Sequence, residues 1–144
     1  MLIGEYNHSL DPKKRLAVPS KFRKELGDGA VVTRGLDNCL FVFPRERWHE
    51  LADQLAKLPL AQQNARSLAR LFLSSATEVE FDGLGRILIP EHLKRYAGLE
   101  RDVVIAGVHS RLEIWDRKTW AAYQAKLEKD SDSIAEKLGE LGVL

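Results

Sequence analysis

The chain has 144 residues, 44% of them hydrophobic and 30% charged, which suits one domain with a real core, or two small halves sharing one, and excludes a disordered polymer. The formal net charge of +1 excludes no class of partner, whereas a single cysteine, Cys39, excludes an internal disulfide and a cysteine-cluster zinc site. No apolar run approaches the roughly 18 residues of a membrane span, and "MLIGEY" has neither the basic nor the apolar region of a signal peptide, so a cytosolic protein without a membrane partner is expected.

From the N-terminus, a strand should run into a turn at Asp11–Arg15 and a second strand, "RLAVP", should leave it, making a β-hairpin with a charged tip. Pro12 suits the first central position of a type I turn. Pro19 opens a short helix that closes near Gly27, and strands follow around 30–34 and 39–43. Pro44 then starts a helix with Trp48, Leu51, Leu55 and Leu58 on one face; Pro59 breaks it, and "LAQQNARSLARLFLSS" resumes helical spacing. The same order returns afterwards. A turn at Asp82–Arg86 contains Gly83 and Gly85, which permit positive φ, and leads into "RILIP". A short helix from Pro90 to Gly98, strands around 102–107 and 111–115, and a helix capped by Asp116 complete it. That helix, "RKTWAAYQAKLEKD", passes into a charged tail with weak helical patterning, "SDSIAEKLGELGVL".

The recurrence is residue by residue. At a shift of 71, Asp11, Arg15, Leu16, Val18, Pro19 and Phe22 meet Asp82, Arg86, Ile87, Ile89, Pro90 and Leu93; "VVTRGLDNCLFVFPRERW" then matches "VVIAGVHSRLEIWDRKTW" at a shift of 72. Such self-similarity indicates a duplicated unit. One compact domain over 1–144 is expected, built from repeats at about 1–58 and 76–130 joined by the helical link 59–75, with 131–144 as a tail. Each unit alone is too small to bury much, so the two should share a mainly β core in an α+β fold.

Charge is distributed unevenly. Residues 1–72 carry 12 Lys and Arg against 8 Asp and Glu, whereas residues 73–144 carry 10 against 13. Between Leu10 and Glu25 lie six bases (Lys13, Lys14, Arg15, Lys21, Arg23, Lys24) and two acids. A focused basic segment on a nearly neutral chain is the footprint of a phosphate-docking site, although a lysine-rich turn also serves simply to keep a hairpin soluble.

"GEYNHSLDPKKRLAVPSKFRKEL" and "EFDGLGRILIPEHLKRYAGL", with two D-x-x-x-R motifs each followed by apolar, x, apolar, Pro, resemble the bacterial MraZ family, relatives of the AbrB-type swapped-hairpin DNA-binding proteins. The similarity covers residues 1 to about 125. It implies a duplicated, AbrB-like (double-split) β-barrel with flanking helices, assembled into a homo-oligomeric ring of eight or twelve subunits. It also implies a nucleoid-associated transcriptional regulator that binds short repeated boxes of double-stranded DNA in the promoter of its own division and cell-wall operon. The family's DNA-contacting motif maps onto Asp11, Lys13 and Arg15, and its second copy onto Asp82 and Arg86. Members often have Gly before the first motif Arg, where this chain has Lys14. That lysine must either hold a less favourable backbone conformation or sit in a different turn.

The two tips are not expected to act equally. Lys13, Lys14 and Arg15 surround the first, while Glu78, Glu80 and Asp82 alternate along the strand before the second. Arg15 is expected to read a base or hold a close phosphate, since its planar fork pairs bidentately with guanine; Lys13 and Lys14 should neutralise phosphates, and Arg23 and Lys24 extend the patch. Asp11 should brace the turn and orient Arg15. For Arg86, a brace to Asp82 and a DNA contact both stay open. Trp48, Phe72, Trp115 and Trp120 are candidates for either core packing or subunit contacts.

No catalytic constellation is found, and no cofactor or metal is expected. His8, His49, His92 and His109 lack paired-ligand spacing, Ser74 and Ser75 lack a nucleophile elbow, and "GLGR" opens a strand instead of a helix. The rival to DNA binding is a ring-forming module whose basic loop grips an acidic protein.

Overall fold

The computed structural model describes residues 1–142. The last two positions of the 131–144 tail lie outside the described residues.

Eight strands and five helices follow one another as β1 (Leu2–Ser9), β2 (Arg15–Ala17), α1 (Ser20–Leu26), β3 (Gly29–Arg34), β4 (Leu40–Phe43), α2 (Arg45–Ala56), α3 (Gln63–Ser75), β5 (Thr77–Glu80), β6 (Arg86–Leu88), α4 (Glu91–Tyr96), β7 (Asp102–His109), β8 (Leu112–Asp116) and α5 (Arg117–Gly139). The fold is α+β and its pairings are antiparallel.

The strands cross between the halves of the sequence. β1 pairs along its whole length with β7, and β5 pairs with β3. The six-stranded sheet therefore runs β1-β7-β8-β4-β3-β5, while β2 and β6 pair only with each other as a separate ribbon. Two sequence expectations are corrected here. The Asp11–Arg15 segment is not the tip of a regular hairpin: a single Leu10–Leu16 bridge and the Asp11 N–H donating to Arg15 O (3.0 Å) close it, after which its arms part to different partners. Nor do the strands close into a barrel, since β1 and β5 remain the two edges of an open sheet. The physical reason is common to both. β1 gains an eight-residue ladder on β7, far more backbone pairing than a three-residue β2 could offer it.

The inner strands have an apolar core on each face, which explains unbroken runs such as "LFVF" and "VVIA". One side of β3, β4, β7 and β8 contributes Val32, Leu40, Val42, Ile105 and Ile114 to a core shared with Leu16 and Ile87 of the ribbon, Phe22 of α1 and Leu93 of α4. The other side carries Phe41, Phe43, Val104 and Trp115 against Leu55 of α2 and Phe72 of α3, with Trp48 and Trp120 packed alongside. Trp48, Phe72, Trp115 and Trp120 are thus engaged within one chain. Trp120 also ties α5 to β1 by donating from Nε1 to Glu5 Oε1 (2.9 Å).

The helix signals act as punctuation. Pro19, Pro44 and Pro90 stand immediately before α1, α2 and α4, and Asp116 caps α5 by accepting from Lys118 N (3.2 Å). α2 stops at Ala56 and α3 starts only at Gln63, because Pro59 leads a turn in which Gln62 N donates to Pro59 O (3.1 Å). The weakly patterned tail is helical: α5 runs unbroken to Gly139, with no buried residue. No helix among the described residues is long and apolar enough to cross a membrane.

The crossed pairing has a tight point. Gly107 faces Gly4 across β1 and β7, and a Cβ at Gly107 would fall 2.7 Å from Leu2 C and Ile3 N, backbone atoms that cannot move without lifting β1. Gly107→Ala should lower the urea midpoint by an equivalent of about 1–3 kcal/mol. Gly83→Ala, where a Cβ meets nothing within 4 Å, should leave the midpoint nearly unchanged in the same titration.

Candidate nucleic-acid interface

β2 and β6 pair Arg15 with Leu88, Leu16 with Ile87 and Ala17 with Arg86. Bonds from Ile89 N to Lys14 O (2.8 Å) and from Val18 N to Gly85 O (3.1 Å) extend the ribbon into each turn. Alternation fixes the rest. Leu16 and Ile87 point inward, with 0% and 1% exposure, so Arg15, Ala17, Arg86 and Leu88 share the outward face. The ribbon thereby brings the two D-x-x-x-R motifs together from opposite ends, with Arg15 and Arg86 two residues, about 7 Å at about 3.4 Å per residue, apart along the strands.

The motif is the same small machine twice. Asp11 Oδ1 accepts from the N–H groups of Lys13 (2.9 Å) and Arg15 (2.8 Å), while Oδ2 accepts from Arg15 Nε (2.9 Å). In the second copy Asp82 Oδ1 accepts from Leu84 N (2.9 Å) and Arg86 N (2.9 Å), and Oδ2 from Arg86 Nε (2.8 Å). A carboxylate folding back on its own turn needs this five-residue spacing, and the arginine closes it. Both carboxyls sit below the usual aspartate range, chiefly because the backbone N–H of Arg15 or Arg86 stabilises the ionised form. Only Nε is used in each brace, so Arg15 Nη1 and Nη2 have no hydrogen-bond partner among the described residues, on a side chain that is 34% exposed.

The copies then diverge. Arg86 reaches back, placing Nη1 3.7 Å from Asp11 Oδ2, so the first carboxylate lies between both arginines. Lys14 holds φ at +63°, the left-handed conformation that Gly85 adopts at +73° in the second turn. This is the less favourable backbone that the missing glycine implied, at a cost of about 1 kcal/mol for a residue with a Cβ. A Cβ at Gly85 would lie 2.5 Å from the guanidinium carbon of Arg23, so that the arginine's end would have to shift. Arg23 bonds Val18 O from Nε (3.0 Å) and lies over the second turn instead of widening the first.

The basic patch is also less free than its sequence suggests. Lys14 Nζ is 3.1 Å from Glu91 Oε2, and this contact holds the Glu91 carboxyl below its ordinary range. Lys13 and Lys24 are exposed and make no ion pair among the described residues. Near the second turn, Glu80 approaches Arg45 (4.0 Å) and Asp82 is absorbed by its brace, so the expected acidic face is partly neutralised. Among the described residues no group of three His, Cys, Asp or Glu could hold a metal ion.

Sequence reasoning missed Glu91, the partner of Lys14, and the cations Lys94 and Arg101; these two cations, with Lys14 and Glu100, line a groove of about 610 Å³ beside Asp11 and Pro12. A signal for Lys94 existed: the 71-residue shift places it opposite Arg23. Glu91 had none, because its contact with Lys14 depends on β2 and β6 lying together.

These features define a class: a duplicated, strand-exchanged α+β protein that displays two aspartate-braced arginines on one exposed ribbon. The family model described as "MraZ protein, putative antitoxin-like" matches the chain twice, over residues 1–71 and 72–139. The chain is 52% identical over 143 residues to the transcriptional regulator MraZ of Clostridium beijerinckii, covering 99% of this chain and 100% of that one. It is 50% identical over the same length and coverage to the protein of that name from Alkaliphilus metalliredigens, and 48% identical over 138 residues, 96% of each chain, to that of Heliobacterium modesticaldum. The chain belongs to the MraZ family.

The braces make acid stability testable. A folded-state pKa below the unfolded value means that the stabilisation is complete above the unfolded aspartate range and is lost as pH falls through the folded one. Thermal melts taken from about pH 6 down to about pH 2 should show this loss in the wild type, and a flatter decline in the Asp11→Asn, Asp82→Asn double variant, which starts from a lower melting temperature. Asparagine keeps the oxygen that accepts the backbone N–H groups but turns an amide donor toward arginine Nε.

Proposed function

We propose that this protein is a DNA-binding transcriptional regulator of its own division and cell-wall operon, working in the cytoplasm at the nucleoid. The carrying observation is the β2/β6 ribbon, which sets Arg15 and Arg86 on one outward face with their side chains locked at Nε by Asp11 and Asp82. A two-stranded ribbon fits the major groove, and an arginine held by Nε still offers its terminal nitrogens to guanine O6 and N7 or to a phosphate. Asp11 and Asp82 position; they do not touch the DNA. Lys13, Lys14 and Lys24 neutralise phosphates, and Arg23 supports the second turn.

The crossed strands favour an AbrB-like swapped-hairpin kinship in which the two repeats form one domain with α3 as the link. One ribbon contacts too few phosphates for tight binding at physiological salt. A homo-oligomeric ring, of eight or twelve copies as the family resemblance implies, would present several ribbons to successive promoter boxes, and effective concentration would raise avidity by about 10²–10⁴. The open edges of β1 and β5 give such assembly a place to start.

Fluorescence anisotropy with a duplex from the protein's own promoter and a scrambled duplex, across a salt series, tests this reading. Wild type should prefer the promoter, and Arg15→Ala should cost about 1–3 kcal/mol per engaged site and erase the preference. Lys13→Ala should weaken both duplexes alike and reduce the salt slope by about 1 per engaged site. Equal weak binding of both duplexes, unmoved by Arg15→Ala, would sink the reading and favour an acidic protein partner.

Glu91 supplies a gain-of-affinity counterpart. Glu91→Gln removes the counter-charge of Lys14, so duplex affinity should rise by about 2–5-fold at low salt and the difference should shrink as salt screens it.

A further inference from the structure

On another part of the molecule, one face of α3 meets the end of β3 and the start of α4 around an open cavity of about 440 Å³. Ser67, Arg70, Leu71 and Ser74 recur at the spacing that puts residues on one side of a helix, and all of them line it. Arg34 enters from β3 and His92 from α4, and no aspartate or glutamate lines the cavity.

Its cations differ from the six ion-paired arginines of the chain. Arg15, Arg45, Arg47, Arg86, Arg95 and Arg111 each have a carboxylate within 4 Å. Arg34 and Arg70 have none among the described residues. Arg34 is also held in place: its guanidinium carbon lies 4.5 Å from the centre of the Tyr96 ring, and the Tyr96 hydroxyl is anchored by donating to Gly35 O (2.9 Å). Its backbone N–H donates to Ser75 Oγ (3.2 Å). A half-buried, preorganised guanidinium with no counter-ion is poised for an anion from outside.

The negative end of α3 is partly masked at the same place. Ser75 Oγ donates to Leu71 O (2.6 Å), Thr33 Oγ1 to Phe72 O (2.7 Å), and Ser74 Oγ to Arg70 O, while His92 Nε2 lies 3.1 Å from Ser75 O and acts as its donor. Two of the last-turn carbonyls that would repel an anion, those of Phe72 and Ser75, are thus occupied. The donors left for a ligand are the two guanidiniums and the Ser67 hydroxyl.

We propose that this cavity is a phosphate-binding site, with Arg34 and Arg70 forking the oxygens of one phosphate group and Ser67 completing the cradle. The phosphate belongs either to a free phosphorylated small molecule or to the backbone of DNA passing the subunit. The site shares no residue with the ribbon and does not depend on the ribbon's reading DNA.

The test is isothermal titration of the full chain with inorganic pyrophosphate at low ionic strength, paired with duplex anisotropy. Arg70 is exposed, so Arg70→Gln should keep the wild-type melting temperature, and Arg34→Lys keeps the charge but loses the fork. For a free ligand, wild type binds pyrophosphate saturably, both variants weaken it about tenfold or more, Arg15→Ala leaves it intact, and duplex affinity does not change. For a DNA phosphate, both variants weaken the duplex whether or not pyrophosphate binds alone. If Arg70→Gln and Arg34→Lys change neither affinity, or if pyrophosphate binding is lost only in Arg15→Ala, the cavity is not a phosphate site.

Discussion

Everything at the exposed ribbon depends on one pairing, that of β2 with β6. Each is three residues long, and neither has another strand beside it. A strand that short gains too little from its own hydrogen bonds to persist alone. What keeps the pair in place is burial of Leu16 and Ile87 in the core shared with the large sheet, each worth about 1.5–3 kcal/mol relative to exposure. The strand exchange follows from the same geometry. With β1 committed to β7 and β5 to β3, the segments beyond them have only each other.

This arrangement couples structure to chemistry through the pleat. Because the inward residues are fixed by the core, the outward ones cannot slip by one position without burying arginine and exposing leucine. Arg15 and Arg86 therefore face solvent by a constraint that originates on the other side of the ribbon. The aspartate braces add a second constraint at almost no cost in chain length. Each converts a loose five-residue loop into a turn with three fixed hydrogen bonds and points a guanidinium outward at the same time.

Duplication did not preserve symmetry at the turns. Arg23 rests on the second turn, close against Gly85, whereas its counterpart by internal alignment, Lys94, lines the groove beside the first turn together with Lys14. The first turn thus acquires charge at the expense of backbone comfort, and the second keeps comfort without charge. Glu91 then tempers the added lysine. The ribbon is an asymmetric device built on a symmetric frame.

Much of this was legible in the residues. The prolines before three helices, the cap at Asp116, the break at Pro59, the apolar runs of β3, β4, β7 and β8, and the aspartate-arginine spacing are all local signals, set by backbone geometry and by contacts a few residues apart. The internal repeat also announced that two equivalent turns exist. What could not be read is which strand pairs with which. A strand-turn-strand pattern looks the same whether its arms pair together or separate, because alternation specifies a face and never a partner. The separation of β1 from β2, the open sheet, the reach of Arg86 to Asp11 and of Glu91 to Lys14, and the placing of Arg34 and Arg70 at one cavity are long-range outcomes. The sequence alone determined the elements, their buried faces and the chemistry of each turn; the tertiary structure decided which of those faces and turns meet, since that depends on the core two halves form together.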